Sequence, residues 1–140
     1  MIEVKNVEFD KNNEPNIRFV RNTVFSGEQG ISHELDFDGN DIDAIHAVVL
    51  LDGRNVGTGR MLKDGHIGRI AVLRECRGKG LGFKIVLSLL SEARKENYKR
   101  VYLGSQKHAV DFYSKLGFHP YGNEYMEAGI EHISMEKILT

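Results

Sequence analysis

Between a strand-like run, Ile67 to Val72, and an amphipathic helix that starts near Leu81 lies the turn Arg77-Gly78-Lys79-Gly80-Leu81-Gly82. A glycine-rich turn that enters a helix leaves several backbone N–H groups unpaired at the positive end of the helix dipole. Such a turn suits phosphate. It also fixes the order strand, turn, helix, so the helix must lie back on a sheet.

Several families use glycine turns, and the spacing separates them. A P-loop requires Gly-x-x-x-x-Gly-Lys followed by Ser or Thr, but Gly78-Lys79 is followed by Gly80. A dinucleotide fingerprint requires Gly-x-Gly-x-x-Gly, and after Gly78 and Gly80 its last position is Phe83. No acidic residue follows about 20 positions on, where Tyr98, Lys99 and Arg100 stand. Both common nucleotide readings weaken.

The helix after the turn carries one apolar stripe, Leu81, Ile85, Val86, Leu89, Leu90 and Ala93, with Lys84, Ser88, Glu92, Lys95 and Glu96 largely elsewhere. Val101 to Leu103 reads as a short buried strand, so strand, helix and strand form a right-handed parallel crossover. Upstream, Ala44 to Leu51 and Val56 to Leu62 flank Asp52-Gly53-Arg54-Asn55, a hairpin signal, and Asp64-Gly65 turns the chain into His66 to Val72. Those three strands are expected to be antiparallel. The chain opens with a strand from Ile2 to Phe9. Pro15 then suits a first helical turn, and Ile17, Val20 and Val24 recur at helical spacing until Gly27 ends the helix. A polar loop follows from Ile31 to Asp43. Tyr113 sits on a helix closed by Gly117, and strands at Phe118 to Tyr121 and His132 to Ile138 complete an α/β domain.

A chain of 140 residues fits one domain, residues 1–140, and shows no repeat or linker. Its net charge of −1 gives no basic field for nucleic acid. The longest apolar run, near Ala44 to Leu51, is too short to span a bilayer, and Met1 to Lys5 lacks an apolar signal core. No membrane association and a cytoplasmic location are therefore expected. Cys76, the only cysteine, offers neither a disulfide nor a zinc spacing, so no metal is expected.

The pattern that remains at the turn is Gln/Arg-x-x-Gly-x-Gly/Ala, filled by Arg77, Gly80 and Gly82. Here the sequence resembles the GNAT superfamily of acetyl-CoA-dependent N-acyltransferases. The stretch from Gln106 to Phe118 is similar to that family's Asn-x-x-Ala-x-x-Phe/Leu-Tyr-x-x-x-Gly-Phe segment, with Gln106 in place of the usual Asn. Val24-Phe25, Glu28-Gln29-Gly30, Asp36-Phe37-Asp38-Gly39, Asp41, His46 and Gly129 to Met135 resemble a small bacterial branch of the family whose substrate is poorly defined.

The resemblance implies a mixed, mostly antiparallel sheet flanked by helices. In it a central parallel strand pair, ending at Val72 and Leu103, splays apart to admit a pantetheine arm. It implies acetyl-CoA as cosubstrate and transfer of its acetyl group to a primary amine of a small molecule, peptide or protein, by direct attack in a ternary complex. Arg77, Gly78, Lys79, Gly80, Leu81 and Gly82 would bind the pyrophosphate, the backbone of Ile70, Ala71 and Val72 would pair with the pantetheine amides, and Gln106 would hold the second segment. Tyr113 matches the family's general acid. Its phenol, with an ordinary pKa near 10, is protonated at neutral pH and can donate to a thiolate. Glu28 and His132 are candidates for the base or acceptor site, ahead of His46, His119 and Glu124. A homodimer stays open. The alternative is a non-catalytic acyl-CoA-binding or sensing module, which would keep the turn but not need Tyr113.

Two further signals need placing. Glu34, Asp36, Asp38, Asp41 and Asp43 crowd one loop, but an EF-hand counted from Asp36 would put Asp41 and Ala47 where Gly and Glu are required. The loop is expected to be a solvated edge or an attractor for a cationic acceptor. Cys76 precedes the turn, and direct transfer needs no acyl-cysteine.

Overall fold

The turns fix the first sheet. Asp52 and Gly53 both take positive φ, 50° and 82°, the two-residue reversal whose twist matches flanking antiparallel strands. In the computed structural model, which describes residues 1–139, that turn joins β2 (Ile45–Leu51) to β3 (Arg54–Met61). Asp64-Gly65 leads into β4 (Ile67–Val72), and β1 (Ile2–Val7) covers the far side of β2. The strand order is β1-β2-β3-β4, all neighbours antiparallel.

β4 is followed by α3 (Leu81–Lys95) and then β5 (Arg100–Gln106). β5 pairs with β7 (Ile130–Ile138), which pairs with β6 (His119–Glu127), giving a second antiparallel sheet in the order β5-β7-β6. The two sheets meet at one parallel bridge, His66 to Tyr102, where the Tyr102 N–H donates to Gly65 O at 3.0 Å. Beyond that bridge β4 and β5 are each the terminal strand of a separate sheet.

The apolar stripe of α3 behaves as its spacing requires: Leu81, Ile85, Val86, Leu89, Leu90 and Ala93 are all buried. They pack on the β1–β4 sheet so closely that a Cβ on Gly59 would lie 2.6 Å from Ile85 Cγ2. Only glycine permits this approach at β3. Asn6 on β1 and Ser88 on α3 lock the packing with reciprocal bonds of 3.1 Å and 2.8 Å. The opposite face is covered by α1 (Glu14–Arg21), through Ile17 and Val20. α4 (Val110–Lys115) carries Tyr113 into a small aromatic group with Phe112 and Phe118.

Three segments depart from the sequence reading. The first helix does not stop at Gly27; it continues as a π-helical turn, Asn22–Glu28, closed by Gln29 N–H donating to Val24 O. The wider i→i+5 spacing carries the glycine without breaking the helix. The polar loop contains a short helix, α2 (His33–Asp36), capped by the Ser32 hydroxyl accepting from Leu35 N–H. β6 runs on past Tyr121 to Glu127, and Ala128-Gly129 turn it into β7. Its second half is exposed and has no apolar alternation, which is why composition hides it.

Candidate active site

The turn at Arg77–Gly82 has the form of an anion cradle. Gly78 and Gly80 take φ of 80° and 76°, values that ordinary side chains resist, and Gly80 caps α3 with no side-chain hydrogen bond. The first N–H bonded back within the helix is that of Lys84, to Gly80 O at 3.1 Å, so the N–H groups of Leu81, Gly82 and Phe83 are left for a ligand. A Cβ placed on Gly78, Gly80 or Gly82 would meet nothing within 4 Å, so the backbone borders open space. That space is a cavity of about 390 Å³, walled by the turn, by Ile70, Ala71 and Val72 of β4, by Val24 and Gln29, and by Phe112. Lys79 is exposed beside it.

Arg77 lines the cavity and also reaches back from it. Its Nε donates to Val72 O at 2.9 Å, and its Nη2 lies 2.9 Å from Glu28, which Arg74 also approaches at 3.6 Å. The guanidinium therefore ties the turn to the end of β4 and to the π-helical turn, and Glu28 is held beside the turn by two arginines.

β4 contributes backbone. As the last strand of its sheet, it presents one edge of N–H and C=O groups that β3 does not use. Its pairing with β3 also slips: Thr58 faces Ala71 and Arg60 faces Gly68, so Gly59 stands opposite both Arg69 and Ile70. This is a bulge, with Arg69 at φ 52°, a left-handed conformation that costs a non-glycine residue about 1–3 kcal/mol. A bulge leaves its extra residue outside the ladder and re-aims the local N–H groups.

Tyr113 is half-buried, its ring edge-on to Phe112 at 5.0 Å and to Phe118 at 5.9 Å. Burial raises its phenol above the ordinary range. Phe112, its neighbour, lines the cavity; Tyr113 lies one residue behind, and Gln106 ends β5 outside it. His132 pairs with Gln106 on β7, is buried, and has Nδ1 2.8 Å from Ile130 O and its ring stacked on Tyr125. His46 is buried under Phe9, with Nε2 2.9 Å from Asp41 O, and burial lowers its pKa. His119 and Glu124 are exposed on β6. The structure adds His66, which the sequence reading did not single out. It stands at the one bridge between the sheets, stacked on Tyr102 at 4.7 Å, and Tyr102 donates to Asp64. Burial first, then Arg60 and Arg69, lower the His66 pKa against the opposing pull of Asp64 and Glu127, so its imidazole is neutral at pH 7. Only its position between two turn-flanked strands hinted at this.

The acidic loop is only in part a solvated edge: Glu34 and Asp43 are exposed, while Asp36, Asp38 and Asp41 are tied to arginines. Asp36 and Asp41 are buried, and both bind Arg21, itself buried, at 2.9 Å and 2.7 Å. Arg60 adds Asp41 at 2.9 Å and Asp38 at 2.8 Å. Phe37 is stacked between the guanidinium groups of Arg18 and Arg21. Asp36, Asp38 and Asp41 hold the loop against α1 and β3, and the charge of Asp36 and Asp41 is shielded from solvent.

Residues 27–139 match the family model of the acetyltransferase (GNAT) domain. The chain belongs to the GNAT family. Among GNAT proteins it is 35% identical over 123 residues to the uncharacterized N-acetyltransferase YjcF of Bacillus subtilis, spanning 85% of this chain and 88% of that one. The crystal structure of Escherichia coli ElaA superposes with a TM-score of 0.87 at 30% identity, covering 98% of this chain and 99% of ElaA. An acyl-CoA N-acyltransferase from Pseudomonas aeruginosa has the same TM-score, 0.87, at 27% identity, with coverage of 98% and 99%. This GNAT chain is an acyltransferase. No helix among its described residues is long and apolar enough to cross a membrane.

Proposed function

We propose that the protein transfers an acetyl group from acetyl-CoA to a primary amine by direct attack within a ternary complex. One observation carries this reading: the uncapped amides of Leu81, Gly82 and Phe83 and the free edge of β4 open into the same cavity. The residues present fit acyl-CoA. The first-turn amides and Lys79 would hold the pyrophosphate, where charge-assisted hydrogen bonds are the strong kind. The unpaired edge of β4 at Ile70, Ala71 and Val72 would hold the pantetheine amides. Bound acyl-CoA supplies the activated thioester.

The chain's own groups then have separable tasks. The β4 bulge offers a backbone N–H to the acyl oxygen, where fixed donors act without reorganisation. Tyr113 keeps its proton at neutral pH, because burial raises its pKa, and delivers it to the departing sulfur. A base must take a proton from the incoming ammonium. His66, kept neutral by burial, is a candidate for this task, whereas the Glu28 carboxylate is held by Arg77 and Arg74.

The test is release of free thiol from acetyl-CoA in the presence of a panel of small amines, peptides with free N-termini and lysine-containing peptides. Thiol release that depends on one class of amine, and is strongly reduced by Tyr113→Phe, is the expected outcome. CoA binding without release on any member would favour the sensing module instead.

A further inference from the structure

Arg69 belongs to two structures at once. Its backbone is the left-handed residue of the β4 bulge, at φ 52°. Its side chain crosses to the acidic loop, where Nε donates to Asp36 O at 3.1 Å, Nη2 donates to Leu35 O at 3.0 Å, and Nη2 reaches Asp38 Oδ2 at 3.3 Å. That loop is itself immobilised, Asp36 by the buried Arg21 and Asp38 by Arg60. An unbroken chain of ion pairs thus runs from α1 through the loop to the residue that shapes the bulge.

Glycine would adopt this φ at no steric cost and is the usual residue at the left-handed position of such a bulge. Arginine persists in an unfavourable backbone conformation only where its surroundings over-determine it. Here the planar guanidinium, with several donors in a fixed fork, supplies that determination as a lysine or an apolar residue would not.

We propose that Arg69 is a positioning residue for acyl transfer: its grip on the loop at Leu35–Asp38 holds the β4 bulge in the left-handed turn that aims a bulge N–H at the acyl carbonyl. The proposal rests on the cofactor reading above and makes the acidic loop part of the acyl-transfer apparatus rather than of acceptor capture.

The experiment compares wild type, Arg69→Ala, Arg69→Gly and Arg69→Lys by isotope-edited infrared spectroscopy of bound acetyl-CoA carrying ¹³C at the thioester carbonyl. CoA affinity is measured by calorimetry and Tm by thermal melting. A hydrogen bond to the carbonyl oxygen lowers its stretching frequency. The wild type should show the lowered frequency. Arg69→Ala should return it close to that of free acetyl-CoA while CoA affinity is unchanged, Arg69→Gly, whose backbone takes the left-handed φ without a side chain to hold it, should keep it lowered, and Arg69→Lys should lie between, which also serves if the alanine variant fails to fold. A fully lowered frequency in Arg69→Ala, or in Arg69→Lys where the alanine variant does not fold, would overturn the proposal, because the bulge would then stand without the guanidinium's grip on the loop. An unshifted carbonyl in a wild-type protein that binds acetyl-CoA would overturn it too. Failure of the wild type to bind acetyl-CoA at all would instead bring down the cofactor reading, and this proposal with it.

Discussion

Replacing Tyr113 by phenylalanine is expected to lower kcat by about 10²- to 10⁴-fold, the range for losing a positioned proton donor. Affinity for acetyl-CoA should hardly change, since the hydroxyl is the only group removed and the ring keeps its edge-on contacts with Phe112 and Phe118. Burial has two opposing effects on the size of the loss. It keeps the proton on Tyr113 well above neutral pH, and it makes the phenol a weaker acid toward a thiolate whose conjugate acid has a pKa near 8.5. The transfer is therefore uphill, which places the expected loss toward the smaller end of the range. Steady-state kinetics with an acceptor found in the amine panel, together with calorimetric Kd values, separate the two effects. A wild-type kcat in the variant would remove Tyr113 from the chemistry.

Removing the Asp41 carboxylate is the largest stability effect expected. In Asp41→Ala the buried Arg21 and Arg60 both lose an anion at 2.7 Å and 2.9 Å. Breaking a buried pair from one side typically costs about 3–5 kcal/mol, because the remaining charge stays desolvated. For a chain of this size that is a fall in Tm of roughly 10 °C or more. The same carboxylates give a signed pH dependence. Hydrogen bonds from Arg60 hold Asp38 well below the usual carboxylate range. Asp41 is also lowered: burial opposes its charge, and bonds from Arg21 and Arg60 overcome it. A carboxyl whose folded pKa is depressed contributes stability above its unfolded value, about 3.9, and loses it as pH falls through the folded value. Thermal melts at stepped pH should therefore show the wild-type Tm dropping below about pH 4, and a flatter curve for Asp41→Asn. A Tm for Asp41→Ala equal to that of the wild type would show the network to be dispensable.

The parts of the fold that were legible in the sequence are those set by local chemistry. The stripe from Leu81 to Ala93, the Asp52-Gly53 reversal and the glycine turn each contain their own instructions within a few residues, and each appears as expected. The acidic loop was illegible because its partners are remote. Asp36 and Asp41 look like solvated carboxylates until Arg21 and Arg60 arrive from other elements. The contact of Arg77 with Glu28 was illegible for the same reason, since Glu28 comes from a helical turn far along the chain. The bulge at Arg69 gave no signal, because a left-handed arginine is imposed by tertiary contacts that propensity does not encode. At the candidate site the glycine turn and the tyrosine helix were visible as motifs. His66 was not, since a histidine becomes distinctive only through what surrounds it.

The most direct measurement is the Tm of the protein with acetyl-CoA, CoA, ATP or NAD at equal ligand concentration and fixed protein concentration. A ligand present at 100 times its Kd adds about 2.7 kcal/mol to the folded state, a rise of several degrees for a domain of this size. The expected result is a rise with acetyl-CoA and CoA and none with ATP or NAD. No response to either CoA species, or a larger one to ATP or NAD, would contradict the assignment of the glycine turn and the β4 edge to acyl-CoA.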